Sequence, residues 1–347
     1  MIEDYIEANL HKKYNLIWVE SICTLENIIE QNILKTKVKS QDYNGWDPDL
    51  AVQDFRKRIL EYEKVYESLS LENDGPDSTY IQIINQNNQI VMRNLKGYLP
   101  SKLLSYLINL HTGDRPIYFT RHGESEHNIQ NIIGGDANLS LLGRKYAEKL
   151  KEFILLESNE FNNYPEKCIV YCSTLKRSIE TAEYLSFIEN TVSIKALDEL
   201  NVGICDGMKY EDVQKKYPKD FEERQKDKLK YRYPRGESYM DMILRIEPII
   251  FELERHGGPV IVIGHQGILR CLYGYFALAP IEDIPTIDIP LNTLIKFVPE
   301  AYGFSEERFY YDPISGIIKK LENIKKYKDT LIRVPIYFKK SDSKIID

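Results

Sequence analysis

Cysteine is sparse in this 347-residue chain: Cys23, Cys168, Cys172, Cys205 and Cys271, an odd number with no CxxC pair. That excludes a dense disulfide framework and a thiolate zinc centre, and it points to a reduced, cytoplasmic setting. Cys168 and Cys172, four apart on an expected strand, read as buried thiols and not as ligands. Long apolar runs are also missing. Nowhere do 18 apolar residues follow one another, which speaks against a membrane-spanning helix. The opening MIEDYIEANL is acidic, with no basic region before an apolar block, so it does not read as a secretory leader. Positive charge is in deficit, with 46 Lys and Arg against 53 Asp and Glu and a net charge of −7. Wholesale attraction to nucleic acid is therefore not expected, and an anionic ligand would need cations gathered locally.

What is present suffices for a folded core: 43% of the residues are apolar. The length favours two domains. Residues 5 to 70 read as helix, a strand in NLIWVESIC and further helix, the periodic LAVQDFRKRILEYEKVYESL included. LENDGPDS is a turn. TYIQIIN and QIVMRNL flank QNN as a β-hairpin, and PSKLLSYLINLH is a short helix with Pro100 in its first turn. TGDRP, near 112, marks a boundary. Beyond it, strands alternate with helices. PIYFT, CIVYCS, VSIKAL and GPVIVIG are the strands; SLLGRKYAEKLKEFILL (Ser140 as N-cap), TLKRSIETAEYL and QGILRCLYGYFAL are among the helices. Such alternation implies a mostly parallel sheet covered on both faces, with its ligand beyond the carboxyl ends of the strands. The Tyr- and Lys-rich segment after 301 has no assigned role.

Candidate catalytic groups gather at those strand ends. PIYFT runs into Arg121 and His122, CIVYCS into Ser173 and then Arg177, and GPVIVIG into His265, while VSIKAL delivers Glu199. Two histidines, two arginines and a carboxylate on one sheet edge suit phosphoryl transfer through histidine. A neutral imidazole is a good nucleophile when its other nitrogen is fixed as a donor, and the backbone just after the strand is the expected acceptor. Gly123 would let that turn fold tightly. Arg121 and Arg177 can fork phosphoryl oxygens, His265 adds a donor, and Glu199 can protonate the leaving oxygen. No metal cofactor is required. Taken singly, each residue has a plainer reading: His122 as an incidental loop histidine, Arg177 as a helix-surface cation, Glu199 as a solvated carboxylate, Gly134-Gly135 as a simple turn. His127 and His256 are assigned to loops with no strand end to place them.

A second signal is ERQKDKLKYRYPRGESY. It reads as a solvated basic face, a nucleic-acid contact or a sugar-phosphate site. Arg224 and Lys228, at i and i+4, would share a helix face, and two cations with nearby tyrosines fit one phosphate better than a long polyanion.

The strand-bound RHGE at 121–124, with a second histidine after a late strand, resembles the histidine phosphatase (phosphoglycerate mutase-like) superfamily. RHGESEHN, IGGDANLS, LKRSIETAE, DELNVGICDGMKYEDV, GHQGILRCLYGYF and PLNTLIKFVPEAYG are similar to the bisphosphatase half of the 6-phosphofructo-2-kinase/fructose-2,6-bisphosphatase family, over about 115 to 303. The resemblance implies an α/β fold: a three-layer α/β/α domain at 113–303, a partial kinase-type α/β domain at 1–112 and a C-terminal tail at 304–347. It implies hydrolysis of fructose 2,6-bisphosphate, with His122 as nucleophile and Glu199 as proton donor. Arg121, Arg177, His265 and Asn128 would bind the transferred phosphoryl group. Tyr210, Arg224, Lys228, Tyr239 and Arg270 would hold the 6-phosphate and sugar, with Gly134 and Gln266 lining the site. Ile132 and Asn292 depart from the family's usual arginine and histidine. The kinase family's GxxxxGK(S/T) loop occurs nowhere in the chain, so kinase activity is not expected. A broader sugar-phosphate phosphatase or mutase, and a catalytically weak sensing or docking protein, are the alternatives. A small-molecule substrate is the expected partner; nucleic acid and membrane are not, and a homodimer is left open.

Overall fold

The computed structural model describes residues 14–322 apart from 39, 71, 73–74, 87, 111–112, 114 and 301–302. The chain divides into two compact units, residues 1–112 and 113–347.

In the first unit, β1 (Trp18–Ile22) precedes α1 (Glu26–Asn32) and α2 (Pro48–Glu63). Asp47 caps α2 by accepting from the amides of Asp49 and Leu50, with Pro48 at its first position. Strands β2 (Tyr80–Ile84) and β3 (Gln89–Arg93) form the expected hairpin, and α3 (Tyr98–Asn109) follows. β1 pairs with β2 in parallel, so the sheet runs β1-β2-β3. The helix expected ahead of β1 lies among residues outside the described set.

The second unit is built in this order: β4 (Ile117–Arg121), α4 (Glu126–Ile129), α5 (Leu141–Phe161), β5 (Ile169–Cys172), α6 (Lys176–Glu183) and β6 (Asn190–Ser193). Then come α7 (Tyr210–Lys216), α8 (Pro218–Lys226), α9 (Tyr239–Arg245), α10 (Glu247–Arg255), β7 (Val260–Gly264) and α11 (Gln266–Phe276). β8 (Thr293–Glu300), β9 (Gly303–Asp312) and β10 (Ile317–Lys320) complete it. Ser140 caps α5, its hydroxyl accepting from Gly143 N at 3.1 Å.

The sheet order is β10-β9-β8-β4-β7-β5-β6. The four strands from β4 to β6 are parallel, and β8, β9 and β10 add antiparallel pairs. The expectation of a mostly parallel sheet thus holds for one half only. The sequence reading ends this domain at 303, whereas β9 and β10 carry the sheet to residue 320. Alternate residues of each strand feed two cores, which makes three layers. Phe119, Val262 and Phe297 pack under α9, α10 and α11 with Met242, Leu253 and Leu272. Tyr118, Val170 and Ile261 pack under α5 with Tyr146, Leu150 and Ile154.

Leu150 is fully buried in the second of these cores, and Leu156 on the same helix is 73% exposed. Leu150→Ala should lower unfolding free energy by about 2–5 kcal/mol, and Leu156→Ala by less than about 0.5 kcal/mol. Urea unfolding followed by circular dichroism reads both.

Candidate active site

β4 and β7 are parallel neighbours with Arg121 opposite Gly264, and His122 N donates to Gly264 O at 3.0 Å. His122 and His265 therefore stand one residue past the ends of adjacent strands. Strands lie about 4.8 Å apart, and the two imidazole centroids are 4.9 Å apart. Sheet pairing alone brings these rings together.

His122 is 3% exposed. Its Nδ1 lies 2.7 Å from Gly123 O, which can only accept, so Nδ1 carries the proton. Nε2 accepts from Arg177 Nε at 3.1 Å. Burial first, then the Arg177 and Arg121 charges, holds the His122 pKa well below 6.5. The ring is neutral, with its lone pair on Nε2. A Cβ at Gly123 would lie 2.4 Å from Gly143 O of α5, so only glycine fits this turn.

His265 is equally buried, and burial, then His122 and the nearby guanidiniums, pushes its pKa well down too. Its Nε2 lies 2.6 Å from Ser173 Oγ. That oxygen also accepts from Leu175 N, and with a second lone pair and its own proton it can either donate to Nε2 or accept from it. Nδ1 is buried and has no partner among the described residues, which leaves that ring nitrogen for a ligand. Ser173 was placed by the sequence at a strand end; its contact with His265 was not readable there.

Arg121 Nη1 donates to Ile289 O at 3.3 Å, and burial lowers its pKa to about 10, with Glu199 acting in the opposite direction. Arg177 Nη1 donates to Gly135 O at 2.8 Å. The Gly134-Gly135 loop is more than a simple turn. Both residues have positive φ, and a Cβ on Gly134 would lie 2.0 Å from Asp206 Oδ1. His127, set aside in the sequence, donates through Nδ1 to Gly134 O at 3.1 Å and packs on Gly135.

Glu199 accepts from Gly267 N at 3.1 Å and from Leu200 N at 2.9 Å, at the amino end of α11. No strand delivers it directly, contrary to the sequence reading. β6 ends at Ser193, and a 3-10 turn over Lys195–Leu197 intervenes. Arg245 shapes that turn, donating to the carbonyls of Ala196 and Asp198 at 3.0 Å. Asp198 in turn accepts from Thr174 N at 2.8 Å, tying the Glu199 loop to the end of β5.

A second cation group lies alongside. Lys228 Nζ donates to Pro285 O at 3.0 Å and stands 5.9 Å from the Tyr239 ring centre. Burial, then Arg270 and Arg224, lowers the Lys228 pKa to about 8. Arg270 donates to Ile287 O at 2.6 Å and to Tyr239 OH at 3.1 Å. Arg224 stands over the Tyr233 ring and lines a small cavity with Tyr210, which is 52% exposed. The shared helix face expected of Arg224 and Lys228 is absent, because α8 ends at Lys226 and Asp227 leaves helical geometry. Asn128 uses its Oδ1 to cap its own short helix, accepting from Ser125 N at 2.9 Å, so its NH₂ is the end suited to an anion. Gln266 opens α11, Ile132 bridges Lys209, and Asn292 sits in left-handed conformation with its Oδ1 buried and unpartnered among the described residues.

Among the described residues, none of Arg121, Arg177, Arg224, Lys228 or Arg270 forms an ion pair within 4 Å. Arg308 pairs with Glu306 and Lys296 with Glu157, whereas the buried Arg115, away from these groups, donates to the carbonyls of Leu253 and Glu254. What distinguishes the five is that they are gathered together without a carboxylate partner, an arrangement that suits an anion.

Residues 117–312 match the family model described as histidine phosphatase superfamily (branch 1), more than half of the chain. The chain belongs to the histidine phosphatase superfamily. Residues 1–114 match the 6-phosphofructo-2-kinase model. This histidine phosphatase is 44% identical over 303 residues to a 6-phosphofructo-2-kinase/fructose-2,6-bisphosphatase of Arabidopsis thaliana, covering 86% of this chain and 39% of that one. It is 41% identical over 300 residues to a fructose-2,6-bisphosphatase of Saccharomyces cerevisiae, covering 82% and 64%. A Gallus gallus protein named as the plant one is 43% identical over 297 residues, covering 86% and 61%. The chain thus spans between 39% and 64% of the length of these relatives.

The two depressed histidines have a cost in acid. Unfolded, they titrate near 6.5; folded, they bind protons only at lower pH. Their contribution to stability is complete above about pH 6.5 and is lost as pH falls from there toward the folded values. The melting temperature of this histidine phosphatase should drop between pH 6.5 and 5, and a His122→Asn/His265→Asn double variant should show a flatter profile over that interval.

Proposed function

We propose that the chain hydrolyses fructose 2,6-bisphosphate to fructose 6-phosphate and phosphate through a phosphohistidine at His122. The observation that carries this reading is the pair of contiguous cation groups lacking carboxylate partners. One surrounds two neutral histidines and the other surrounds tyrosines. The names of the relatives supply the substrate; one carboxylate, Glu199, whose charge acts on both cation groups, supports it.

His122 Nε2 attacks the 2-phosphoryl phosphorus while the bond from phosphorus to the C2 oxygen breaks. Arg177 turns its Nε–H hydrogen bond from that lone pair to a phosphoryl oxygen, and Arg121 and the His265 ring, with its proton on Nδ1, donate to others. Each fixed cation at ~4 Å contributes on the order of 4 kcal/mol at an effective dielectric of ~20, before desolvation. Glu199 gives its proton to the departing oxygen. Its position supports this role, since its charge acts both on Arg121 and Arg177 and on Lys228 and Tyr239. In the second half a water attacks phosphorus, Glu199 takes the proton back, and His122 leaves as the neutral ring. Lys228, Arg270 and Tyr239, with Arg224 and Tyr210 beyond them, hold the 6-phosphate and the sugar.

Incubation with substrate labelled in the 2-phosphate should give an acid-labile phosphoprotein. His122→Ala should abolish the label and His127→Ala should retain it; equal labelling of the two variants rejects the assignment. Glu199→Gln should lower kcat by about 10²–10⁴ with little change in KM.

Lys228 generates a further expectation. An anionic ligand favours its protonated form, and the empty site loses that proton near pH 8. KM should therefore rise above pH 8, by up to about tenfold per pH unit. Lys228→Arg, which keeps its charge, should remove this rise. A pH-independent KM for the unaltered protein from 7 to 9.5 contradicts the assignment of Lys228.

A further inference from the structure

The segment Pro285–Ile289 holds both cation groups at once. Four of its carbonyl oxygens accept from cations: Pro285 O from Lys228, Ile287 O from Arg270, Asp288 O from Arg308 and Ile289 O from Arg121. Three of those donors belong to the proposed anion site. The fourth, Arg308, lies on β9, outside it. Its first two residues close a 3-10 turn over Ile281–Thr286, and after it Ile287 and Ile289 are buried in the core at 5% and 1% exposure. Gly274 of α11 lets that turn lie close, since a Cβ there would be 2.8 Å from Ile284 Cγ1 and 3.6 Å from Ile287 Cδ1.

Arg308 is anchored on its other side. Its Nε pairs with Glu306 Oε1 at 2.6 Å, and Glu306 Oε2 accepts from Tyr273 OH at 2.9 Å. Arg308 and Glu306 are 9% and 5% exposed. A buried ion pair of this kind is weak evidence for stability, because desolvation offsets much of its attraction. It does fix geometry. Arg308 Nη1 reaches Asp288 O at 3.1 Å, between the carbonyls that hold Arg270 and Arg121. A peptide turned at Asp288 would re-aim both neighbours.

We propose that Pro285–Ile289 is a strap coupling the two cation groups, and that Arg308 is the positioning residue that fixes it. Anion affinity is then set from strand β9. The inference rests on the reading of these cations as the phosphate site. A guanidinium held by a carbonyl keeps its full charge and its remaining N–H groups for the ligand, and it is already aimed.

The test compares Arg308→Met, the double variant Arg308→Met/Glu306→Gln, which leaves no buried charge unpaired, and Phe309→Ala. Phe309 lies 4.6 Å from Phe153 between ring centres, tilted by 48°, and packs on the core that faces α5, not the one that holds Ile287 and Ile289, so its loss weakens β9 from the other face. Inorganic phosphate affinity is measured by calorimetry, KM and kcat with fructose 2,6-bisphosphate, and Tm for each protein. Both Arg308 variants should bind phosphate about tenfold more weakly, with KM raised and kcat lowered by about tenfold. Phe309→Ala should lower Tm and leave phosphate affinity within about twofold. Unchanged phosphate affinity in both Arg308 variants, or equal weakening in Phe309→Ala, overturns the strap. Failure of the unaltered protein to hydrolyse the sugar bisphosphate defeats the proposed reaction, while the phosphate comparison still decides the strap. Failure to bind phosphate at all defeats both.

Discussion

His122 is held between one hydrogen-bond acceptor and one donor, and the remainder of the site follows from that arrangement. Gly123 O fixes the proton on Nδ1, and Arg177 Nε–H lies against the lone pair of Nε2. A nucleophile toward phosphorus has to be neutral, and this one is kept so by burial and by two guanidiniums. In the proposed reaction the same guanidiniums attract the anion that the imidazole attacks. One set of charges would thus suppress protonation of the nucleophile and bind its electrophile. A carboxylate in this position would attract the anion less and would raise the histidine pKa. Its absence from the immediate surroundings of His122 is a requirement of the chemistry.

Sheet order turns this local requirement into a site. β4 and β7 are hydrogen-bonded neighbours, so their first residues past the strand ends, His122 and His265, meet at the interstrand spacing. β5, next to β7, brings Ser173 to the second imidazole and starts the helix that carries Arg177. None of these contacts needs a long loop to find its partner. Glu199 does need one, and that loop is the most heavily tethered part of the site: Arg245 holds its carbonyls and Asp198 ties it to Thr174. Rigid strand ends place the two histidines, and a fastened loop places the carboxylate.

The strands β4, β5 and β7 were legible because they are buried on both faces and read as unbroken apolar runs. The residues that end them were legible for the same reason. β9 was not, because GFSEERFYYD carries a buried Glu306 and Arg308 where a strand pattern calls for apolar side chains. The pair satisfies itself inside the protein, a long-range fact that no local pattern reveals. VSIKAL looked like a full strand because Ile194, Ala196 and Leu197 are apolar, yet Arg245, some fifty residues away, holds its second half in a 3-10 turn. Arg224 and Lys228 were expected on one helix from spacing alone, and Asp227 breaks it. His127 gave no signal, because its role rests on contact with Gly134 and Gly135. Spacing finds groups that a strand delivers; it does not find groups that other side chains place.

The means by which the cations are held also explains how an empty site can stay charged. Five buried or half-buried cations without counter-ions would be costly if their N–H groups were also unsatisfied. Backbone carbonyls from Gly135 and from Pro285, Ile287 and Ile289 satisfy part of that demand. Carbonyl dipoles solvate a guanidinium without cancelling its charge. Aspartates in their place would lower the cost of the empty state, but an arriving phosphate would then have to displace them or meet their repulsion. Holding cations by carbonyls moves that cost from the binding step to folding. The depressed pKa of Lys228 is the visible sign of the transfer, since its first cause is burial and its next are Arg270 and Arg224. On the proposed function, a ligand bearing two phosphates would relieve both groups together, which would favour a bisphosphate over two separate monophosphates.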